Sequence, residues 1–199
     1  MHHGRVAESR LVRDATVEDA AACARIYEPY VRDSAVSFEL EPPTAAEVAG
    51  RIAAALARHA WVVLEDGGRV AGYAYGAPFN PRASYDWSTS VSVYTETGRR
   101  RTGAGRALYT ALLDRLAARG FRTALAGVAL PNDASVGLHT AMGFELVGTY
   151  RRVGWKLGRW NDVARYQRPL GDPTDDPPPE RPGGTVDTAA CERDTRTSN

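Results

Sequence analysis

Residues 85–106 read Tyr-Asp-Trp-Ser-Thr-Ser-Val-Ser-Val-Tyr-Thr-Glu-Thr-Gly-Arg-Arg-Arg-Thr-Gly-Ala-Gly-Arg, and the rest of the chain is organised around them. The β-branched run at 90–95 predicts a strand. An apolar stripe after Arg106 predicts a helix that ends at Gly120, since glycine is common just beyond helix ends. The stripe consists of Leu108, Ala111, Leu112 and Leu116. The order is therefore strand, basic glycine loop, helix.

The glycine loop has the properties of an anion site. Gly103 and Gly105 let the backbone approach a ligand closely, and the first amides of a helix lack partners within it. The helix dipole and the arginines 99–101 favour a pyrophosphate or a similar anion. The spacing is Arg100-x-x-Gly103-x-Gly105. It matches neither a Walker loop, which ends in Gly-Lys-Ser/Thr, nor the dinucleotide fingerprint Gly-x-Gly-x-x-Gly.

This spacing resembles the acetyl-CoA pyrophosphate loop of the GCN5-related N-acetyltransferases (GNAT). Seven ordered motifs narrow the resemblance to the phosphinothricin N-acetyltransferase branch: Ser37-Phe38-Glu39 with Pro42-Pro43, Gly72-Tyr73-Ala74, Tyr85-Asp86-Trp87, Val91-Ser92-Val93-Tyr94, Leu130-Pro131-Asn132-Asp133-Ala134-Ser135, Leu138-His139 with Gly143-Phe144, and Gly158-x-Trp160-x-Asp162-Val163. The resemblance runs from about Leu11 to Leu170. It implies an α/β fold with a central mixed sheet, flanked by about four helices in one GNAT-like domain.

The composition excludes several classes of protein. The chain has 199 residues, which fits one domain, and its net charge of +1 gives no general attraction to nucleic acid or to an anionic membrane. No apolar run approaches the roughly 20 residues of a membrane helix. Cys23 and Cys191 lie in dissimilar segments, so no structural disulfide is expected. We expect a cytoplasmic protein without a metal ion.

Three parts are expected along the chain. Residues 1–8 form a loose leader, residues 9–170 the N-acetyltransferase domain, and residues 171–199 a disordered tail rich in Pro and Asp. Strands are predicted at 11–13, 61–65, 70–75, 123–130, 144–155 and 163–169, the strand at 123–130 being buried on both faces. Helices are predicted at about 19–31, 44–58 and 132–142, and loops at 34–43 and 77–84.

The resemblance implies a donor site for acetyl-CoA along the central strand and the glycine loop. The backbone of Val93, Tyr94 and Thr95 would pair with the pantetheine arm, and one N–H would stabilise the thioester oxygen. Asn132 would add a hydrogen bond to pantetheine, while its position at a helix start is equally typical of an N-cap. The pyrophosphate would be held by Arg101, Thr102, Gly103, Ala104, Gly105 and Arg106.

His139 is the candidate proton donor. It follows Ser135 by four residues and therefore shares its helix face. It occupies the position where many members of the family carry the tyrosine that protonates the coenzyme A thiolate. An unperturbed imidazole suits that role, although a lone histidine on a helix is more often structural.

Ser90 is the second catalytic candidate and departs from the family pattern. In the phosphinothricin branch a carboxylate stands at this position, and a serine is no general base without a partner. Either Ser90 positions a water, or Asp86, His139 or Glu39 substitutes, or catalysis is slow or lost. Ser90 is equally consistent with an ordinary strand residue that faces a polar pocket.

Phe38, Tyr75, Arg82 and Tyr85 are the candidates for the acceptor site. The guanidinium of Arg82 can grip a carboxylate or phosphinate bidentately, and its alternative is a solvated loop arginine. The two tyrosines are otherwise core residues. Phe38 is either a loop aromatic buried in the core or, as the resemblance implies, a wall of the acceptor pocket.

The leading hypothesis is an acetyl-CoA-dependent transferase that acetylates the amino group of a small amino acid or an amino-acid-like toxin. The toxin would be of the phosphinothricin or methionine sulfoximine type. The alternative is a CoA-binding protein of GNAT fold with weak or lost catalysis, because Ser90 replaces the carboxylate. A third possibility is an acetyltransferase for a protein N-terminus or an aminoglycoside. The resemblance also implies a homodimer.

Overall fold

The computed structural model describes residues 10–98, 102–171 and 182. The strands are β1 (Arg10–Asp14), β2 (Trp61–Asp66), β3 (Arg69–Pro78), β4 (Ser88–Thr95), β5 (Thr123–Leu130), β6 (Glu145–Lys156) and β7 (Arg159–Pro169). The α-helices are α1 (Ala20–Arg32), α2 (Ala45–Arg58), α3 (Ala104–Ala118) and α4 (Asp133–Ala141). The predicted leader, nearly all of the predicted tail and the arginines 99–101 lie outside the described residues.

All of these strands belong to one sheet in the order β1-β2-β3-β4-β5-β7-β6. Every neighbouring pair is antiparallel except β4 and β5, which are parallel. The strands predicted at 61–65 and 70–75 pair as the hairpin of β2 and β3, and its turn holds Gly67 and Gly68 at φ values of 61° and 77°. Glycine adopts this left-handed region without steric cost.

The sheet separates two apolar cores, because successive residues of a strand point to opposite faces. Val63 and Tyr73 pack on one face with α1 and α2. Leu64 and Ala126 pack on the other face with α3. This layered arrangement of helices around a mixed sheet is the α/β class that the sequence predicts.

Side-chain caps fix where the first helices begin. Thr44 Oγ1 accepts from Glu47 N at 3.2 Å, and Glu47 Oε2 accepts from Thr44 N at 2.7 Å. This reciprocal pair is a capping box. The backbone N–H of Thr16 donates to Asp19 Oδ2 at 2.9 Å, and a short 3-10 turn then leads into α1.

The structure corrects three expectations about strands. β3 continues through Pro78, which was expected in a loop, because it pairs with Thr89 of β4. β7 begins at Arg159 rather than Val163, because it pairs with β6 from the turn onward. β5 is not buried on both faces, since Gly127 is exposed and Leu125 only half-buried. A cavity, rather than a helix, lies over that part of the sheet.

Candidate active site

The parallel pair β4 and β5 opens into a wedge. Ser88, Thr89 and Ser90 pair with Thr123, Ala124 and Leu125, and the pairing stops there. β4 nevertheless continues to Thr95 and stays paired with β3 on its other side. The edge of β4 that faces β5 therefore has no strand partner at Val93, Tyr94 and Thr95 among the described residues, while the carbonyl oxygen of Thr95 accepts from Tyr30 Oη at 2.7 Å. An extended chain can add to such an edge as a further strand.

The start of α3 presents free amides beside this wedge. Gly103 has a φ of 79°, and the first intrahelical bond runs from Ala107 N to Gly103 O at 3.0 Å. The N–H groups of Ala104, Gly105 and Arg106 have no backbone partner among the described residues. Unpaired amides at the positive end of a helix dipole form a site for an anion.

Thr102 and Gly105, on the two sides of Gly103, contact different parts of the fold. Thr102 is exposed, and its carbonyl oxygen accepts from Arg10 Nη1 at 2.6 Å, so β1 supports the loop. Arg101 was predicted to bind the pyrophosphate and lies outside the described residues. Gly105 faces α4 closely, because a Cβ atom there would stand 3.0 Å from Leu138 Cδ2. The absence of a side chain at Gly105 thus lets α3 and α4 pack together.

Asn132 is the N-cap of α4. Its Oδ1 accepts from Ser135 N at 3.1 Å, which satisfies one of the free amides of that helix. Asn132 also lines a second cavity of about 510 Å³, together with Trp160 and Asn161 of β7. The capping role is observed, and the bond to pantetheine stays a prediction.

His139 is buried rather than open to a ligand, with 3% of its surface exposed. Its Nδ1 donates to Ser135 O at 2.7 Å, because a carbonyl oxygen can only accept. Its Nε2 then accepts from Tyr109 Oη at 3.0 Å. Burial lowers the pKa of His139, so this imidazole is a poorer proton donor than an unperturbed one would be. Its role as proton donor stays a prediction.

A cavity of about 400 Å³ lies where the wedge closes. β4, β5, β6 and β7 supply its floor and sides, and the loop between α1 and α2 covers it. Apart from Ser90, Ser92 and Arg165, the lining side chains are apolar or aromatic. None of the described residues that line it carries a carboxylate. No lining residue therefore replaces the carboxylate that the family pattern would place at Ser90.

The carboxylates that were considered as substitutes for a base at Ser90 are engaged outside this cavity. Glu39 forms a bidentate pair with Arg51 at 2.7 and 3.0 Å, and this pair lowers the pKa of Glu39. Asp86 Oδ1 lies 3.0 Å from Arg58 Nη2. Glu39 is therefore a weaker base than a free carboxylate, because its charged form is already stabilised.

Phe38 lies on the cavity wall and not in the core, with 39% of its surface exposed. Its ring covers Gly154 of β6, where an added Cβ atom would stand only 2.5 Å from Phe38 Cζ. The loop that carries Phe38 is held by Lys156, whose buried Nζ donates to Val31 O, Ser37 O and Glu39 O at 2.6, 2.7 and 2.8 Å. The hairpin of β6 and β7 thereby positions the cavity roof.

The other three acceptor candidates are not part of the cavity lining. Tyr75 pairs with Ser92 across β3 and β4, and its ring stacks on Trp61 at 4.5 Å. Tyr85 is exposed and touches Phe79, with ring centroids 5.5 Å apart. Arg82 is exposed in the same loop. Contacts of these three residues with an acceptor stay predictions.

The sequence reasoning missed two charged residues at this site, Arg165 and Lys156. Arg165 interrupts an apolar stretch of β7, and Lys156 is the only lysine in the sequence. Both signals were visible, because a charge within a strand and a single lysine in an arginine-rich chain are unusual. Neither signal says what the side chain contacts.

Neither a metal site nor a membrane helix is found in the part of the chain that the structure describes. No three His, Cys, Asp or Glu residues there come together in a way that would hold an ion. No helix there is both long and apolar enough to cross a bilayer.

Comparison with known proteins gives consistent matches. Residues 12–164 match the family model described as an acetyltransferase (GNAT) domain. A phosphinothricin N-acetyltransferase of Streptomyces viridochromogenes is 41% identical over 171 residues, covering 86% of this chain and 93% of the relative. An L-methionine sulfoximine/L-methionine sulfone acetyltransferase of Pseudomonas paraeruginosa is 34% identical over 171 residues, covering 83% and 97%.

A solved structure agrees with the described fold. The crystal structure of a GNAT superfamily phosphinothricin acetyltransferase from Sinorhizobium meliloti, in complex with AcCoA, superposes with a TM-score of 0.83. Its sequence is 36% identical, and the match covers 90% of this chain and 97% of that one. The resemblance and the fold class that were predicted from the motifs are thereby confirmed.

Proposed function

The chain belongs to the GNAT acetyltransferase family, and from that premise we propose that it acetylates the α-amine of a small amino acid or an amino-acid-like toxin. The acyl donor is acetyl-CoA. The observation that carries the proposal is the wedge between β4 and β5, which has free helix amides beside it and an apolar cavity where it closes. This arrangement has room for an extended thioester next to a small acceptor.

The residues present fit acetyl-CoA. The amides of Ala104, Gly105 and Arg106 and the dipole of α3 suit its pyrophosphate. The open edge of β4 at Val93–Thr95 suits the amide groups of its pantetheine arm. Bound acetyl-CoA supplies an activated acetyl thioester. A backbone N–H of the same edge would face the developing negative charge, and one such donor is worth about 3 to 4 kcal/mol.

The relatives support an amino-acid-like acceptor. Those named above act on phosphinothricin and on methionine sulfoximine or sulfone. Both kinds of compound carry an α-amine, whose ordinary pKa in a chain terminus is about 7.7–8.0. The α-carboxylate of a free amino acid raises the pKa of its amine above this chain-terminus value, because a nearby anion stabilises the ammonium form. The site must therefore remove a proton from the amine, and an ordered water can carry that proton toward solvent. The Ser90 hydroxyl lines the cavity and can hold that water.

The proton for the departing thiolate stays assigned to His139 as a proposal. Its Nε2 accepts a hydrogen bond from Tyr109 in the described arrangement. Burial lowers the pKa of His139, so its Nε2 must first take up a proton, in place of the bond from Tyr109, before it can give one to the thiolate.

The experiment for this function is a thiol-release assay with acetyl-CoA over a panel of amino acids, with calorimetry of coenzyme A binding beside it. We expect saturable binding of coenzyme A and thiol release with at least one α-amino acid. Silence with every acceptor, despite binding, would favour a CoA-binding protein of GNAT fold with weak or lost catalysis.

The observation behind that second candidate is the absence of a carboxylate from the described cavity lining. The variant Ser90→Glu distinguishes an active acetyltransferase from a CoA-binding protein without catalysis. If the parent is an active enzyme, this variant changes its pH dependence. If the variant gains activity that the parent lacks, the parent is a binder.

We further propose a cytoplasmic homodimer that needs no nucleic acid or membrane. The hairpin of β6 and β7 lies at the edge of the sheet, where Leu146, Val147, Tyr150, Val153, Trp155, Leu157 and Trp160 are each between 48% and 64% exposed. We call these residues the hairpin patch. Several large apolar residues exposed on one edge hairpin are typical of an interface. Tyr150 and Val153 also line the cavity, so a second copy seated there would close its rim.

A further inference from the structure

Arg165 is a charged residue in an otherwise apolar part of the cavity wall. It is half-buried on β7, and the neighbouring lining residues include Val163, Leu125 and Phe38. No described residue forms an ion pair or a hydrogen bond with its guanidinium. Its one described interaction is with the Tyr150 ring, whose centroid lies 5.9 Å from Arg165 Cζ. A guanidinium has five N–H donors, and leaving them unpaired away from water is costly.

The space for this guanidinium comes from Gly127. Arg165 and Gly127 face each other across β5 and β7. A Cβ atom at position 127 would stand 2.8 Å from Arg165 Nη1, which is too close for the two to coexist unchanged. The missing side chain of Gly127 thus lets Arg165 lie flat over the sheet and reach into the cavity. The same sheet face carries Ser90, where the wedge closes.

We propose that Arg165 binds an acidic group on the side chain of the acceptor, so that this protein prefers acceptors with an anionic side chain over neutral ones of the same shape. The inference rests on the proposed function, in which the amine reacts beside Ser90. It makes Arg165 a specificity-determining residue. The ligand chemistry is a carboxylate, phosphinate or similar oxyanion that a guanidinium fork can hold bidentately.

The sheet register sets the distance between the reacting amine and the guanidinium of Arg165. Ser90 pairs with Leu125, and Gly127 lies two residues further along β5. One strand spacing and two residues of rise place Ser90 and Gly127 about 8 Å apart. An acid at the end of an extended side chain can reach over Gly127 when the amine lies beside Ser90. An α-carboxylate turned the same way would compete for the guanidinium, and the comparison of compounds and variants below tells the two apart.

A comparison of phosphinothricin with methionine sulfone tests whether the protein prefers acceptors with an anionic side chain. Both carry the same two-carbon side chain ending in a methyl group, attached through a charged phosphinate in one and a neutral sulfone in the other. We expect the parent protein to favour phosphinothricin by about tenfold or more in kcat/KM, because a charge-assisted pair is stronger than a neutral one. Calorimetry with protein saturated with coenzyme A should show the same preference in Kd, without any acetyl transfer.

The variants locate the preference at Arg165. Arg165→Met should lose about tenfold or more on phosphinothricin and nothing on methionine sulfone. Gly127→Ala keeps the charge but displaces it, so it should lose part of the preference. Arg168→Met is the matched control, because Arg168 lies on the same strand outside the cavity lining.

Two results would overturn the inference. One is a parent that binds and acetylates both compounds equally well. The other is an Arg165→Met protein that loses both compounds to the same degree, which would place the guanidinium on the α-carboxylate or make it structural. Failure of the proposed function looks different: no thiol is released with either compound, while calorimetry still reports whether the phosphinate is preferred.

Discussion

At the scale of single residues, Lys156 shows why one charged side chain can hold a loop. Three backbone carbonyls converge on its Nζ within 2.6–2.8 Å, and an ammonium has three donors to give. A guanidinium spreads its donors over a plane and cannot place them at one point. This explains why a chain that otherwise uses arginine has its only lysine here.

Replacing Lys156 by methionine keeps the length of the side chain and removes all three donors. Buried carbonyls without partners cost about 1–3 kcal/mol each before relaxation, so we expect a loss of roughly 2–4 kcal/mol in the free energy of unfolding. The acceptor KM should rise, because Phe38 loses its support. Urea unfolding and steady-state kinetics measure both effects. Arg159→Met, a change at an exposed residue of the same hairpin, is the control and should alter neither the free energy of unfolding nor the acceptor KM. If the two variants were equally stable, the three bonds of Lys156 would not stabilise the fold.

His59 predicts how stability depends on pH. It is buried and stacked on Phe121 at 4.8 Å, and burial, with the nearby charges of Arg58 and Arg119, lowers its pKa to about 4. In the unfolded chain the pKa is about 6.5. Between pH 6.5 and pH 4 the unfolded state therefore binds a proton that the folded state does not. The free energy of unfolding should fall as pH falls through that range, by roughly 1–3 kcal/mol from this residue.

The variant His59→Phe isolates this contribution, since the ring contact with Phe121 remains and the titration does not. Urea unfolding of both proteins at pH 7 and at pH 4.5 gives the difference, and the protonation of carboxylates cancels between them. The parent should lose more stability on acidification than the variant. Parallel losses would show that His59 titrates normally in the folded state.

At the scale of elements, the glycine loop works only if α3 begins abruptly. Gly103 provides the left-handed turn, with φ at 79°, and no atom of the described residues lies within 4 Å of where its Cβ would be. The constraint at this position is therefore the backbone conformation and not space. Gly105 is the opposite case, since Leu138 of α4 stands close and the backbone is helical.

Gly103→Val should weaken the binding of coenzyme A, because a β-branched residue strongly resists the left-handed conformation that aims the amides of α3. We expect the Kd from calorimetry to rise about tenfold and the melting temperature to fall. Gly103→Asn is the matched control, since asparagine tolerates this region, and it should bind nearly as the parent does. If the valine variant binds coenzyme A normally, these amides do not form the pyrophosphate site.

The contact between the loop of Phe38 and the hairpin of β6 and β7 is also a property of whole elements. Lys156 holds the loop from below, and Gly154 leaves room for the Phe38 ring. The cavity roof is therefore shaped by a hairpin that lies more than a hundred residues away in the chain. Differences in acceptor preference among related chains would be expected to arise at this contact.

At the scale of the whole molecule, the hairpin patch predicts the oligomeric state. Sedimentation at micromolar concentration should show a dimer, because the patch exposes two tryptophans and five further large apolar residues on one hairpin. Trp155→Lys should shift the protein toward monomer and raise the acceptor KM while leaving the Kd of coenzyme A unchanged. Leu40→Lys, a change at an exposed apolar residue outside the patch, serves as the control. A parent that sediments as a monomer would remove the dimer from the proposal.

Much of the fold followed from the chain itself. The three helices at 19–31, 44–58 and 132–142 and the order of strand, glycine loop and helix around Gly103 are local signals, because backbone propensity and hydrogen bonding between near neighbours set them. The bounds of β3 and β7 were less predictable, since each strand is extended by pairing with a partner. Residue spacing also indicated the family, which fixed the expected sheet.

What the sequence alone determined is therefore the set of elements, the glycine-rich start of α3 and the presence of a serine at position 90. Only the tertiary structure decided that His139 is sealed between Tyr109 and Ser135, that Arg165 reaches into the cavity over Gly127, and that Lys156 holds the loop of Phe38. The physical reason is that the bonds of Lys156, the space beside Arg165 and the burial of His139 depend on groups brought together by the sheet register, and no local pattern records that register.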